Sequence, residues 1–230
     1  SDGGLIVKNG VDGLDDFDCL YVRGSHKYML LQRSITRALH KKVYMPIKPD
    51  AFTLGHNKLL CLLELQQKGI NVPTTYFAPS AKDAKELLGE VNYPVIIKIP
   101  EGSQGKGVMF AESESSAKSM IDALDTFKQP YIIQEYIETG ERSSQDIRVV
   151  VAGGRVIGAM KRIAKSSDIR ANIHAEGRGE AFEVDAEMET MAIKAARAIG
   201  ADVAAVDMLK GRKTSVLEVN LSPGLKGIME

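Results

Sequence analysis

Asp207, Glu218 and Asn220 are the side chains in this sequence whose types and spacing best suit metal chemistry. Asp207 lies in an apolar run at 201–209, and Glu218 and Asn220 lie in a second run at 214–220. If the runs are strands of a hairpin turned at 211–213, the two-residue alternation of a strand places Glu218 and Asn220 on one face, across from Asp207. Magnesium prefers such oxygen ligands. The sequence therefore predicts a magnesium site here; the alternative is a solvated acidic face.

A glycine-rich loop provides a second candidate site. Its residues are Gly102, Ser103, Gln104, Gly105, Lys106 and Gly107, directly after an apolar run that contains Lys98. Backbone N–H groups of such a loop can face phosphate, although the spacing fits neither a P-loop nor a dinucleotide fingerprint. A plain connection between strands is the alternative. Lys98 favours the phosphate interpretation, because a buried ammonium without an anionic partner is costly.

Two further segments suit ligand binding, each with an ordinary structural alternative. The first, with Gln134, Glu135, Tyr136 and Ile137, closes an apolar run and could present backbone groups to a flat heterocycle such as adenine, or simply end a strand. The second is a basic segment at 161–178 around Asn172, which predicts arginine forks on phosphate or carboxylate, or else a solvated basic loop. Three histidines lack metal-site spacing and are interpreted as surface or loop residues: His26, His40 and His56.

Alternation and helical periodicity predict an α+β fold that positions these sites. A small first unit is predicted to contain a strand at 18–23, a helix at 26–40 and a strand at 42–45. Helices are then predicted at 55–68, 80–88, 113–124 and 185–199. Strands are predicted at 74–78, 94–99, near 108, and at 131–135, 145–151, 156–162, 201–209 and 214–220, mainly antiparallel in the C-terminal half. The predicted domains are 1–54, 55–130 and 131–230.

Composition limits the partners. Thirty basic and thirty acidic side chains cancel, so no global field favours nucleic acid or an anionic membrane. No apolar run approaches the length of a membrane span. The two cysteines, Cys19 and Cys61, suggest buried thiols in a reducing compartment, so the predicted location is the cytoplasm.

The order of these segments resembles the ATP-grasp superfamily, and within it the RimK-type glutamate ligases. The matching positions begin near Lys58 and run to the C-terminus: Lys58, Lys98, the loop at 102–107, the segment 134–137, Asp146 and Arg148, Arg170 and Asn172, Asp207, and the stretch 218–224. This resemblance implies two α+β subdomains that grip ATP, preceded by an α/β unit that is shorter here than in the family.

The resemblance also implies a role for each site. Lys58 and Lys98 would contact the ATP phosphates under a glycine-loop lid, the backbone of Glu135 and Ile137 would read adenine, and Asp146 would hold the ribose. The residues implied to steady the transferred phosphoryl group and the acyl phosphate are Arg162, Arg170 and Asn172. The implied ligands of one or two Mg²⁺ ions, with Mn²⁺ as a substitute, are Asp207, Glu218 and Asn220.

The implied reaction is ATP-dependent amide formation through an acyl phosphate, adding glutamate to a protein or peptide C-terminus. Ligation to a cofactor or to a biosynthetic carrier protein is an alternative substrate class. A non-catalytic ATP-binding module is the alternative from a different functional class. The implied partners are an amino acid, taken as glutamate, and a protein or peptide acceptor, with self-association into a homo-oligomer left open.

Overall fold

The computed structural model describes residues 8–9, 12–102, 107–140, 145–163, 178–225 and 228. Within them are two antiparallel sheets of four and five strands, and a two-stranded hairpin lies near the N-terminus. The larger sheet carries Asp207, Glu218 and Asn220, and the smaller sheet carries Lys98. The predicted α+β class is confirmed. The proposed domain boundaries stay a prediction.

The N-terminal unit holds the short hairpin, two 3-10 turns and one long helix. Its elements are β1 (Lys8–Asn9), β2 (Asp12–Gly13), 3-10 turns at Leu14–Asp16 and His26–Tyr28, and α1 (Met29–Leu39). The predicted strands at 18–23 and 42–45 are wrong, because these segments meet only at one parallel bridge between Cys19 and Tyr44. A strand is defined by a ladder of hydrogen bonds to a neighbour, and one isolated bridge does not form such a ladder.

The smaller sheet has the strand order β3, β6, β4, β5 and is covered by two helices. Its elements are β3 (Thr75–Tyr76), α4 (Ala81–Leu87), β4 (Val95–Lys98), β5 (Val108–Ala111), α5 (Glu114–Thr126) and β6 (Ile132–Glu135). Ser80 and Ser113 cap α4 and α5, where each side chain accepts a backbone N–H of the first turn. Such caps satisfy donors that the helix leaves unpaired, which explains why both helices begin where the sequence predicts.

The larger sheet has the order β11, β10, β7, β8, β9. Its elements are β7 (Gln145–Ala152), β8 (Arg155–Ile163), β9 (Arg178–Ala181), α6 (Ala186–Ile199), β10 (Val203–Lys210) and β11 (Thr214–Asn220). The turn between β7 and β8 contains Gly153 and Gly154, both with positive φ, as a tight hairpin requires. Alanines of α6 pack on the apolar face of this sheet, so the opposite face is left for polar side chains.

The predicted helix at 55–68 is instead two helices, α2 (Ala51–His56) and α3 (Lys58–Gln67). The break is at Asn57, whose backbone is extended and whose side chain accepts the Leu60 N–H as the cap of α3. Both helices contribute to the same apolar core as the larger sheet. This packing brings Lys58 to the larger sheet as well as to the glycine loop.

The cysteine prediction is half right. Cys61 is buried in α3, whereas Cys19 is exposed beside its single bridge to Tyr44, so only Cys61 is a core thiol. Among the helices described, none is long and apolar enough to cross a membrane.

Candidate active site

Asp207, Glu218 and Asn220 meet on one face of the β10–β11 hairpin. Asp207 pairs directly with Glu218 in the ladder, and the register shifts between Asp207 and Met208. The Asn220 amide nitrogen Nδ2 lies 3.0 Å from Asp207 Oδ2 and 3.0 Å from Glu218 Oε1. A bulge beside this pair fits the common use of bulges to aim side chains near functional sites. The convergence expected from alternation is therefore present.

These three side chains form a donor set that suits a hard divalent cation. One amide nitrogen bridges the two carboxylates, and turning this amide over would put a third oxygen at the same place. Within the described ranges, no group of three or more His, Cys, Asp or Glu side chains is placed to hold a metal. Two carboxylates and one amide leave the remaining positions to water and substrate phosphates, as magnesium commonly accepts. The residues fit magnesium bound together with a nucleotide.

Two arginines hold Asp207: Arg148 from the adjacent strand β7 and Arg162 from β8, the next strand beyond it. Arg148 donates through Nε and Nη2 to the two Asp207 oxygens, each at 2.7 Å, and Arg162 Nη2 donates to Oδ2 at 2.9 Å. Strand pairing produces this arrangement, because Asp207 faces Arg148 across β10 and β7. Only 2% of the Asp207 side chain is exposed. The carboxylate is thus fixed in position and charge-compensated before any cation binds.

The arginines decide the charge state of Asp207. Burial alone would raise its pKa, but the hydrogen bonds and charge of Arg148, together with the charge of Arg162, outweigh burial and hold the Asp207 pKa below its usual range. Guanidinium to carboxylate forks are strong because both partners are ionised. Asp207 is therefore an anion throughout the neutral pH range.

Asp146 lies in the same charged network. It pairs with Arg162 across β7 and β8, and Arg162 donates to both of its carboxylate oxygens. Burial raises the pKa of Asp146, and the nearby charge of Asp207 adds to this effect while the Arg162 hydrogen bond opposes it. The role of Asp146 as a ribose ligand stays a prediction, in which the carboxylate would have to share its oxygens with Arg162.

Arg148 is the functional residue that the sequence reasoning left without a role. It stands two residues after Asp146, so alternation puts both on one face of β7. That spacing was a usable signal. The pairing of β7 with β10, which brings Arg148 to Asp207, has no comparable signal in the sequence, because 59 residues separate Arg148 from Asp207.

Lys98 lies at the end of β4, and its ammonium donates a hydrogen bond to Gln134 Oε1. Gln134 Nε2 in turn donates to Thr75 Oγ1 at 2.8 Å. Burial lowers the Lys98 pKa to about 8; the charge of Glu218 opposes this shift and that of Lys58 adds to it. Lys98 therefore lies close enough to Lys58 and Glu218 for both charges to act on it. Among the described residues the hydrogen-bond partner of Lys98 is a neutral amide, so an anionic ligand would complete its environment.

Replacing Lys98 with methionine should weaken ATP binding at pH 7 by about tenfold or more, because a charge-assisted hydrogen bond is lost. The ligand-free protein should keep or raise its melting temperature, since a costly buried charge is removed. Titration calorimetry and thermal melting measure the two effects, with the exposed Lys82→Met as the matched control. An unchanged ATP affinity would return Lys98 to a purely structural role.

The same lysine gives a pH prediction. The folded-state pKa of Lys98, about 8, lies below its ordinary value of 10.5, so the folded state disfavours its protonated form. Stability should therefore rise as pH increases from about 8 to about 10.5, while ATP affinity should fall above pH 8 as the positive charge is lost. Lys98→Met should flatten both trends.

Lys58 of α3 contacts one end of the glycine-rich loop, and Gly107 forms the other end. Lys58 Nζ donates to the Gly102 carbonyl at 3.1 Å, and its backbone N–H donates to the Pro100 carbonyl. Gly107 has φ of +77°, and an added Cβ would lie 2.9 Å from Ile99 Cδ1, so only glycine fits here. Four of the predicted loop residues lie outside the described residues: Ser103, Gln104, Gly105 and Lys106. Arg170 and Asn172 lie outside them too.

The segment predicted to read adenine follows β6. Gln134 is buried, as its two hydrogen bonds require, and the Glu135 N–H donates to the Thr74 carbonyl at 2.9 Å. The Tyr136 ring packs edge-on against Phe110, and Ile137 lies against Gly211 in the β10–β11 turn. Adenine recognition stays a prediction, which would use the Glu135 carbonyl and Ile137 rather than the Glu135 N–H.

The chain matches the model of the RimK-like ATP-grasp domain over residues 55–230. It is 37% identical over 218 residues to a probable alpha-L-glutamate ligase of Alkalilimnicola ehrlichii, which covers 94% of this chain and 72% of that protein. It is 41% identical over 176 residues to a probable alpha-L-glutamate ligase of Parasynechococcus marenigrum, covering 76% of this chain and 37% of that protein.

Solved structures have the same fold at low sequence identity. An ATP-grasp RimK domain protein of Sphaerobacter thermophilus aligns with a TM-score of 0.70 at 20% identity, covering 92% of this chain and 76% of that one. A D-alanine–D-alanine ligase of Bacillus anthracis complexed with ATP aligns with a TM-score of 0.70 at 18% identity, covering 91% and 70%. The ATP-grasp ligase PsnB, complexed with a phosphomimetic variant of its minimal precursor, Mg and ADP, aligns with a TM-score of 0.66 at 22% identity. This alignment covers 86% of this chain and 61% of that one.

The fold and the family model place this chain among the ATP-grasp ligases. It belongs to the RimK-like ATP-grasp family. The predicted family, the ATP-grasp fold and the predicted enzyme class, an ATP-dependent acid–amino-acid ligase, are confirmed.

Proposed function

We propose that this protein uses ATP and Mg²⁺, with Mn²⁺ as a substitute, to add glutamate to the C-terminus of a protein or peptide. The observation that carries the proposal is the meeting of Asp207, Glu218 and Asn220 on one face, within a chain of the RimK-like family. The names of the curated relatives support glutamate as the amino acid.

The proposed reaction has two steps. An acceptor carboxylate oxygen attacks the γ-phosphorus of ATP, forming an acyl phosphate and releasing ADP. The amine of glutamate then attacks the acyl carbon, the amide bond forms, and phosphate leaves as the amine loses a proton. Magnesium, when bound, supplies positive charge to the phosphate oxygens, which stabilises the charge that develops in phosphoryl transfer.

The residues of this chain prepare the site for these steps. Glu218 supplies carboxylate oxygens beside Asp207, which Arg148 and Arg162 hold in place, and Asn220 would supply a further oxygen when its amide is turned over. Lys98 and Lys58 offer positive charge from the smaller sheet and from α3. Groups fixed before the reaction stabilise a transition state without the cost of reorganising during it, so the rigid arginine forks serve positioning.

The test is incubation of the purified chain with ATP, Mg²⁺, L-glutamate and a peptide ending in glutamate, with the peptide mass and phosphate release followed together. Stepwise mass gains of glutamyl residues are expected, in step with phosphate release. A peptide ending in lysine is the matched acceptor control. Binding of ATP without turnover across a panel of amino acids and acceptors would contradict the proposal and favour a non-catalytic ATP-binding module.

A further inference from the structure

A buried polar cluster lies where the N-terminal unit meets the end of β11. We define this Gln32 cluster as His26, Gln32, Thr53 and His56. Gln32, on the inner face of α1, is 4% exposed, and its Oε1 lies 3.2 Å from His56 Nε2. Three of its buried polar atoms have no hydrogen-bond partner among the described residues: His26 Nδ1, Gln32 Nε2 and Thr53 Oγ1.

These orphaned atoms are energetically unusual. A buried polar atom without a partner costs about 1–3 kcal/mol, and native proteins contain few. Reversing the Gln32 amide leaves the count unchanged, because one of its two polar atoms would still bond His56 and the other would still be orphaned. Gln32 is hydrogen-bonded to His56, His26 lies near His56, and Thr53 precedes His56 by three residues on the same face of α2. A polar ligand that reaches these side chains would satisfy their unpaired atoms, so the cluster indicates a binding site.

The cluster adjoins the proposed reaction centre. The Gly24 N–H donates to Ser222 Oγ at 3.1 Å, and Arg23 Nη2 donates to the Pro223 carbonyl at 2.7 Å. Ser222 follows Asn220 by two residues, roughly 7 Å along an extended chain. An added Cβ at Gly24 would lie 2.5 Å from Gln32 Nε2, so the orphaned amide lies against this segment.

The α2 helix connects the cluster to the nucleotide side of the site. An added Cβ at Gly55 would lie 2.8 Å from Leu221 Cγ, so α2 packs directly on the end of β11. His56 is followed within two residues by Lys58, which contacts the base of the glycine loop. Through α2, the Gln32 cluster therefore adjoins both the end of β11 and the helix that carries Lys58.

The hydrogen-bonding groups of the cluster favour a carboxylate as the ligand. It offers an amide N–H, imidazole nitrogens and the neighbouring Arg23 guanidinium, and none of the hydrogen bonds described for these side chains involves Asp or Glu. Burial lowers the pKa of His56, and the proximity of His26 adds to the shift, so His56 is a neutral hydrogen-bonding group at pH 7. The cluster itself contributes no anionic side chain that could pair with an ammonium ligand.

We propose that the Gln32 cluster binds a substrate carboxylate other than the one that is phosphorylated. This inference rests on the proposed ligase function and deepens it, because it names the group of the substrate that the protein recognises. The carboxylate belongs either to free L-glutamate or to the terminal residue of the peptide acceptor. Gln32 and His26 are positioning residues under this proposal, since they hold a substrate and take no part in bond formation.

The test compares the chain with its Gln32→Met variant, both saturated with Mg²⁺ and a non-hydrolysable ATP analogue. Calorimetry measures the Kd of L-glutamate and, separately, of a peptide ending in glutamate. The Kd of at least one probe should rise about tenfold to a hundredfold in the variant, and the affected probe identifies the source of the carboxylate. The matched control is Gln66→Met, the same change at an exposed position of α3.

The nucleotide Kd separates this proposal from the proposed function. The nucleotide Kd should be unchanged in Gln32→Met. If the nucleotide Kd changes as well, the same glutamate and peptide titrations are made with His26→Ala, a change at a partly exposed position. If the variant binds L-glutamate and the peptide as tightly as the wild-type chain does, the carboxylate proposal is wrong. The proposal is also wrong if the wild-type chain binds the ATP analogue but neither L-glutamate nor the peptide. Absence of nucleotide binding by the wild-type chain would instead contradict the ligase function itself.

Discussion

Replacing Glu218 with glutamine should lower ATP-dependent phosphate release by about a hundredfold or more while leaving the fold nearly unchanged. Glutamine keeps the size of the side chain and the Oε1 acceptor that Asn220 uses at 3.0 Å, so the hairpin should keep its geometry. The substitution removes one negative charge from the donor set, and a divalent cation binds an amide far less strongly than a carboxylate. Steady-state phosphate release with saturating substrates measures the effect.

The matched control for this variant is Glu112→Gln, the same change at an exposed residue after β5. It should leave turnover unchanged. Raising the Mg²⁺ concentration should partly restore the Glu218→Gln activity if the loss is one of metal affinity. Undiminished turnover in the Glu218 variant at low Mg²⁺ would remove Glu218 from the metal site.

The sequence was sufficient to predict the β10–β11 hairpin and the convergence of its polar residues. Both runs are apolar, the turn at 211–213 is short, and the two-residue period leaves Glu218 and Asn220 no choice of face. The observed strand at Thr214–Asn220 has the predicted bounds. Local pattern decides such elements because the partners are neighbours in the chain.

The sequence was not sufficient where partners are distant in the chain. The fork between Arg148 and Asp207 depends on which strands lie side by side, and strand order is set by packing of the whole sheet rather than by local pattern. The Gln32 cluster is a stronger case. Leu30 and Leu31 of α1 are exposed, while Gln32 and Thr36 are buried on the same helix as Leu39; hydrophobic patterning does not predict a buried glutamine there. The proposed carboxylate site would give Gln32 a function on that inner face.

Replacing Arg148 with methionine should reduce the free energy of unfolding by about 3 kcal/mol, because removing one partner of a buried ion pair leaves the other incompletely compensated. Arg162 and Asn220 still bond Asp207 Oδ2, but Oδ1 would lose its 2.7 Å donor. Urea denaturation at pH 7 measures the loss. Phosphate release should fall as well, since Asp207 would no longer be held in one orientation.

The exposed ion pair between Arg33 and Asp50 offers the matched control, because Arg33 also donates through Nε and Nη2 to one carboxylate. Arg33→Met should cost less than about 1 kcal/mol, since solvent screens exposed pairs. The pH dependence should differ as well. The lowered pKa of Asp207 contributes stability above the pKa of the unfolded residue, and this contribution disappears as pH falls through the folded value.

In Arg148→Met the principal group that lowers the Asp207 pKa is absent, so the acid-sensitive part of the unfolding free energy should shrink, whereas Arg33→Met should retain it. Adding Asp207→Asn to Arg148→Met should recover part of the lost stability, because the uncompensated charge is then removed. Equal losses in the two single arginine variants would show that burial adds nothing to the Arg148 pair. The Asp207 carboxylate would then have to be held by Arg162 and Asn220 alone.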